Sequence, residues 1–293
     1  LSKNQFTNVW KNYQKMQQNP YKIETPSLIS FSGGRTSAYM LYKILEAYDF
    51  NLPDEIFVTF ANTGKEAEET LEFVDKCSKE WGIHIHWLEH YFANESPKHR
   101  TKEVTFATAA RNGEPFERLI DDRKILPNPV SRFCSSELKI KVMYRFMKNK
   151  GYKTWTNVLG LRYDEPRRAI SAKKADYQAW ENIVPLYEAK ATNDDVLKFW
   201  RSNHFDLELN SIGGKTIAGN CDLCFLKSAQ SITALLKEKP HLADWWIKQE
   251  GKFGKQTGAV FRKDRDYITL VELSKQGDLF VNDVATDTCF CHD

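Results

Sequence analysis

The chain has 293 residues, 41% hydrophobic and 28% charged, with a formal net charge of +3. That composition excludes a disordered or low-complexity polymer and supplies enough apolar mass for one large core or two lobes. No apolar run approaches the roughly 20 residues that cross a bilayer, and so small a charge does not by itself argue for nucleic acid.

The first 20 residues are polar, rich in Lys, Asn and Gln, and lack the apolar stretch of a secretory signal, which predicts a cytoplasmic, non-membrane protein. In a reducing compartment the six cysteines, Cys77, Cys134, Cys221, Cys224, Cys289 and Cys291, point to metal or redox work rather than to disulfides. Basic residues crowd Lys98 to Lys102, Arg118 to Lys124, Arg167 to Lys174 and Arg262 to Arg265, and read first as solvated faces.

In chain order, a short strand at Leu28 to Phe31 leads into a helix through Tyr39, Leu41, Ile44 and Leu45. A second strand, Ile56 to Phe60, leads into a helix from about Glu66 to Glu80, whose core face takes Leu71, Val74, Cys77 and Trp81; Cys77 is therefore read as core. The strand Ile83 to Leu88 alternates, which puts His84 and His86 on one face. Two solvated histidines are the plain reading there, because no third ligand stands nearby in sequence.

From Tyr91 to Val130 periodicity is lost and Pro97, Pro115, Pro127 and Pro129 appear, so the segment reads as a long loop or insertion. A helix from about Ser135 to Lys150, stopped by Gly151, precedes a strand at Thr154 to Leu159. A helix from Asn193 to Arg201 follows. Beyond Ser211 the chain carries cysteines and a Trp-rich helix near Ala243 to Gln249.

The first strand ends and the first helix begins at Ser32-Gly33-Gly34-Arg35-Thr36-Ser37. Two glycines let the backbone approach an anion, the helix N-terminus points amides and a favourable dipole at it, the hydroxyls add donors, and Arg35 adds a charge. Gly213-Gly214-Lys215-Thr216 looks like the end of another phosphate loop. Its first glycine would fall on Leu209 and no apolar strand precedes it, so it is read as a turn.

Taken with three further blocks, this loop resembles the PP-loop superfamily and, within it, the phosphoadenosine phosphosulfate (PAPS) reductase family. The second block is Phe60-Ala61-Asn62-Thr63-Gly64-Lys65-Glu66, with Asn62 where the family has an acid. The third is Gly160-Leu161-Arg162-Tyr163-Asp164-Glu165-Pro166-Arg167-Arg168, and the fourth Pro185-Leu186 followed by Asp194-Asp195-Val196. The resemblance covers about residues 27 to 201. It implies an α/β fold, a Rossmann-like parallel sheet with flanking helices, plus a smaller cysteine-bearing C-terminal lobe. The expected division is an arm at 1–26, the nucleotide-binding domain at 27–210 and a cysteine-rich region at 211–293.

If the strands are parallel, these loops leave one edge of the sheet and converge on one ligand. The adenine nucleotide is then expected at Ser32, Gly33, Gly34, Arg35, Thr36, Ser37, Asn62, Thr63, Gly64, Gly160, Arg162, Glu165 and Arg168. Arg162 and Arg168 offer fork-shaped donors to phosphate or sulfate, and Glu165 could orient one of them or help hold Mg2+.

Cys221-Asp222-Leu223-Cys224 has a spacing that lets two thiolates reach one metal, and Cys289-Phe290-Cys291 is a second close pair. Cys134 lies in Arg132-Phe133-Cys134-Ser135-Ser136-Glu137-Leu138-Lys139, similar to the block where iron–sulfur members carry a cysteine pair. The expected metal site is a [4Fe–4S] cluster on Cys134, Cys221, Cys224 and Cys291, with Cys289 as the nucleophile. The roles of Cys289 and Cys291 are exchangeable, and a three-ligand cluster or Zn2+ on the same thiolates stays open. Family reductases end in E-C-G-L-H, whereas this chain has Thr288-Cys289-Phe290-Cys291-His292.

Reduction of adenylyl sulfate or PAPS, served by a thioredoxin-like reductant, stands first among the expected functions. An ATP pyrophosphatase that thiolates nucleic acid with a sulfur donor stands next, and a non-catalytic zinc and nucleic-acid-binding module third. Homo-oligomerisation is left open.

Overall fold

The structure, a computed structural model, describes residues 19–92, 100–175, 177–209, 211–212, 215–257 and 260–276. Six strands form one sheet: β1 (Ser27–Ser30), β2 (Ile56–Asn62), β3 (Ile85–His90), β4 (Thr101–Val104), β5 (Trp155–Leu159) and β6 (Trp180–Ile183). Their order is β4-β3-β2-β1-β5-β6. All neighbours are parallel except β3 and β4, so the sheet expected to be parallel carries an antiparallel edge strand.

β1 buries both faces, as a central strand between two helical layers must. On one side Ile29 and Phe31 meet α1 (Arg35–Ala47) and α2 (Glu68–Trp81) through Leu41, Ile44, Leu71 and Val74. Cys77 lies fully buried in this layer, where burial raises its thiol well above the ordinary range, in keeping with a core role. On the other side Leu28 packs with Val142, Phe146 and Met147 of α4 (Lys141–Asn149). A short helical turn at Phe133–Ser135 and a π-helical stretch at Ser136–Ile140 lead directly into α4.

The segment 91–130 is not the loop expected. It contains β4 and α3 (Glu114–Arg123). β4 reads Thr-Lys-Glu-Val, with its two charges exposed, so it lacks an apolar alternation; charged side chains are how an edge strand resists further pairing. Pro115 sits in the first turn of α3, where its missing N–H costs nothing.

Beyond β5 come α5 (Pro166–Lys174), β6 and α6 (Asn193–Ser202). Ser211–Ile212 then pairs antiparallel with Lys215–Thr216. The chain continues through α7 (Ala229–Glu238), α8 (Ala243–Thr257) and α9 (Tyr267–Lys275). Leu223, Ile232, Trp246, Phe261 and Tyr267 from this region join the same apolar cluster as α1 and α2. Among the described residues no helix is long and apolar enough to cross a membrane.

His90, at the end of β3, is buried, and burial first and Arg145 second pull its pKa from 6.5 down to about 4. The unfolded chain therefore takes up this proton before the folded one does. The neutral ring's contribution to stability is complete above pH 6.5 and is lost as pH falls toward about 4. Replacing His90 with Phe is expected to flatten stability against pH in that window, by on the order of 3 kcal/mol at the acid end. Urea unfolding of both proteins across the window checks it.

Candidate functional site

β1 has β2 on one side and β5 on the other, so the connections leaving their ends diverge and open a crevice at the carboxyl edge. Ser32, Gly33 and Gly34 turn the chain there from β1 into α1. Gly33 has φ of +80°, and a Cβ on it would lie 2.7 Å from Thr70 Cγ2 on α2, so the turn needs glycine both for its torsion and for its space. Gly34 is the N-cap of α1; no side chain caps it and no acid stands in the first turn. The opening amides of α1, which have no intrahelical acceptors, thus meet the crevice with the positive end of the helix dipole.

Ser37 is fully buried and shapes this loop from behind. Its hydroxyl donates to the Gly34 carbonyl at 3.0 Å, accepts the Ser32 amide at 3.3 Å and lies 2.9 Å from the Ser32 hydroxyl. Gly160, just past β5, abuts the same residue: a Cβ there would come within 3.1 Å of Ser37 Cα.

The predicted arginines divide. Arg35 turns away from the loop: its guanidinium pairs with both oxygens of Asp206, at 2.7 and 2.9 Å, and donates to the Leu207 carbonyl at 2.6 Å. Arg162 comes to the loop, donating to Thr36 Oγ1 at 2.8 Å, with Asp164 at 3.0 Å and Glu165 at 3.4 Å behind it. Glu165 also binds Arg168, so one carboxylate holds two guanidiniums in place.

The β2 loop faces the cysteines. Asn62 is fully buried and donates to Glu89 at 2.7 Å and to the Ala110 carbonyl at 2.9 Å, while its oxygen accepts the Gly64 amide at 3.1 Å. It fixes the turn rather than presenting itself to a ligand. Thr63 bonds Glu66 through its amide and hydroxyl, and its Oγ1 lies 3.4 Å from Cys221 Sγ.

The loop bearing Cys221 and Cys224 is clamped onto Lys65. Asp222 donates its amide to the Lys65 carbonyl at 2.7 Å, and its carboxylate meets Lys65 Nζ at 2.9 Å, both side chains under a tenth exposed. Trp246 Nε1 adds a bond to Asp222 at 2.9 Å, the buried Tyr267 hydroxyl donates to the Leu223 carbonyl, and Arg262 donates to the Phe225 and Lys227 carbonyls.

These anchors place Cys221 and Cys224 in one pocket with Cys134, walled by Phe116, Phe225 and Trp246. The three sulfurs do not all lie within 4.8 Å of one another: among the described residues, the one group of three or more His, Cys, Asp or Glu ligand atoms that does is His84, His86 and Glu103. Cys289 and Cys291 lie outside the described residues.

A second pocket lies between β1, β5, β6 and the helical run that starts at Phe133, and it reaches Ser32. Trp155, Tyr177 and Trp180 line it, with Tyr177 and Trp180 stacked at 4.3 Å and Trp155 and Trp180 at 5.5 Å. Asn157 and Asn182 provide polar groups, 2.9 Å apart. Ser135 and Lys139 line both pockets. Lys139 Nζ lies 3.3 Å from Asn220 Oδ1 and 3.9 Å from Glu66, so a cation sits where the two spaces adjoin.

Lys139, Lys65, Asp222, Asn157 and Asn182 join the site without a motif of their own in the sequence. A signal for Lys139 exists in its place on the helical run that carries Cys134. The asparagines have none, being ordinary strand residues until β5 and β6 pair.

Residues 26–209 match the family profile of the phosphoadenosine phosphosulfate reductase domain. An uncharacterized nin region protein of Escherichia phage lambda is 27% identical over 220 residues, covering 74% of this chain and 71% of that protein. An uncharacterized protein of Methanocaldococcus jannaschii is 41% identical over 234 residues, 78% of this chain; the match spans 42% of the archaeal protein's length. Among solved structures, the U34-tRNA thiolase NcsA of Methanococcus maripaludis with its [4Fe-4S] cluster aligns with a TM-score of 0.42 at 14% identity, covering 95% of this chain and 83% of that one.

Proposed function

The chain belongs to the phosphoadenosine phosphosulfate reductase domain family, a family of nucleotide-binding PP-loop enzymes, and from that premise we propose that it brings an adenine nucleotide to a set of cysteine thiolates for sulfur chemistry. One observation carries the reading: the pocket that reaches the phosphate loop at Ser32 and the pocket of Cys134, Cys221 and Cys224 share Ser135 and Lys139.

In this reading the amides of α1 and the Thr36 hydroxyl hold the phosphates, Arg162 adds a cation steadied by Glu165, and the space beside Trp180 takes the rest of the nucleotide. Lys139 offsets negative charge where the reacting group faces the thiols. The substrate is adenylyl sulfate or PAPS. The Cys289 thiolate attacks its sulfur, a sulfur–sulfur bond forms as the sulfur–oxygen bond to the nucleotide breaks, and the nucleotide leaves with that electron pair. A thioredoxin-like dithiol then cleaves the new bond, releasing sulfite, restoring the Cys289 thiol and becoming a disulfide.

A [4Fe–4S] cluster fits the donor set of Cys134, Cys221 and Cys224, completed by Cys291. A lone tetrahedral zinc, with bonds of about 2.3 Å, needs sulfurs within roughly 4 Å of one another, whereas the sulfurs of Cys134, Cys221 and Cys224 do not all lie within 4.8 Å. When bound, such a cluster would supply redox-active iron to these thiolates.

Binding of ATP, adenylyl sulfate and PAPS to the native chain, Ser37→Ala and Arg162→Ala tests the anion site. Arg162→Ala is expected to weaken the preferred nucleotide about tenfold or more, the worth of a charged hydrogen bond. Ser37→Ala should weaken it by loosening the loop. Unchanged affinity in both, or no binding at all, overturns the site. Thiol-dependent sulfite release supports reduction. Pyrophosphate release that needs nucleic acid would assign ATP-dependent thiolation instead, and binding without turnover a non-catalytic module.

A further inference from the structure

We propose that His84, His86 and Glu103 form a binding site for a divalent transition-metal ion at the β3–β4 edge of the sheet, a site in which no cysteine takes part. His84 and His86 are two residues apart and share a face. Glu103 comes from the antiparallel edge strand: Leu88 is its register partner, which sets its long side chain diagonal to His86.

The donor atoms are already gathered. His86 Nδ1 lies 2.6 Å and His84 Nε2 3.3 Å from the same oxygen, Glu103 Oε1. The three ligand atoms all fall within 4.8 Å of one another. The two imidazoles stand perpendicular at 4.3 Å, so each presents a nitrogen without stacking on the other.

One side of the site is fixed and the other open. The His86 side chain is 14% exposed, its ring packed on Phe146 at 4.8 Å and Phe57 at 5.9 Å, while that of His84 is 72% exposed. Two imidazoles and a carboxylate suit zinc and its neighbours, and three protein ligands leave one tetrahedral position to solvent. Lys150, lying over Phe146 at 5.4 Å and Phe57 at 5.8 Å, is the nearby cation on α4's side, and the Glu103 charge offsets it. An ion here would tie β4 to β3 through side chains as well as through the backbone ladder.

Cobalt(II) separates this site from the cysteines, because a thiolate-bound cobalt ion shows an intense sulfur-to-metal charge-transfer band and one held by imidazole and carboxylate does not. The full chain, purified without oxygen and titrated with cobalt(II), is expected to bind an ion that adds no such band. His84→Ala and Glu103→Gln, both at exposed side chains, should each weaken that ion about tenfold or more and leave any thiolate band unchanged. Zinc should raise the melting temperature of the native chain and not that of His84→Ala. Cobalt bound only with the charge-transfer band, or an affinity unaltered in both variants, overturns the site and leaves the nucleotide reading untouched.

Discussion

Replacing Lys65 with Met is expected to cost about 3 to 5 kcal/mol and to abolish iron retention at the cysteine pocket. The Lys65 and Asp222 side chains meet at 2.9 Å and are 8% and 6% exposed. With the lysine gone, the Asp222 carboxylate stays buried with the Trp246 indole and the Leu223 amide as donors, and has lost the ion pair that balanced it. The penalty falls on the loop between Cys221 and Cys224, whose first turn is fastened to the loop after β2 by that pair. The double variant Lys65→Met, Asp222→Asn leaves no charge behind and keeps an acceptor for Trp246, so it should recover at least half the loss. Urea unfolding of the two single variants and the double measures the coupling. A cost under roughly 1 kcal/mol for Lys65→Met would mean the pair does not hold the loop.

Serine at Cys221 or Cys224 should abolish iron and sulfide retention while leaving the fold in place. A serine hydroxyl is nearly isosteric with the thiol but is a poor ligand for iron at neutral pH, so the change removes a donor without opening a large cavity. Cys134→Ser is expected to do the same, since Cys134 lines the same pocket. The control is Cys77→Ala. That thiol is buried on the core face of α2, away from the pocket lining, and its loss should reduce stability by about 1 kcal/mol and leave metal content unchanged. Iron, sulfide and zinc analysis of the four proteins, purified without oxygen, distinguishes these outcomes.

The phosphate loop was legible because its signal is local: an apolar strand, two adjacent glycines and an amphipathic helix occupy consecutive residues. The direction of Arg35 was not, because its partner Asp206 lies 171 residues away and only the packing of the segment after α6 brings it near. The same holds for Asn62. Its substitution for the family's acid was visible, but its commitment to Glu89 on β3 depends on strand pairing. Cysteine spacing exposed the pair Cys221 and Cys224, whereas the meeting with Cys134 needed the β2 loop as a platform. α3 was hidden by a proline that starts a helix as readily as it breaks one. The third ligand beside His84 and His86 was hidden because β4 carries no apolar pattern.

The most direct test of the account is the electron paramagnetic resonance spectrum of the reduced, anaerobically purified full chain, recorded before and after saturation with its preferred adenine nucleotide. If the phosphate loop and the thiol pocket form one site, an iron–sulfur signal is present, with about four iron ions per chain, and it shifts when the nucleotide binds. A zinc-only protein, or a signal indifferent to saturating nucleotide, contradicts it.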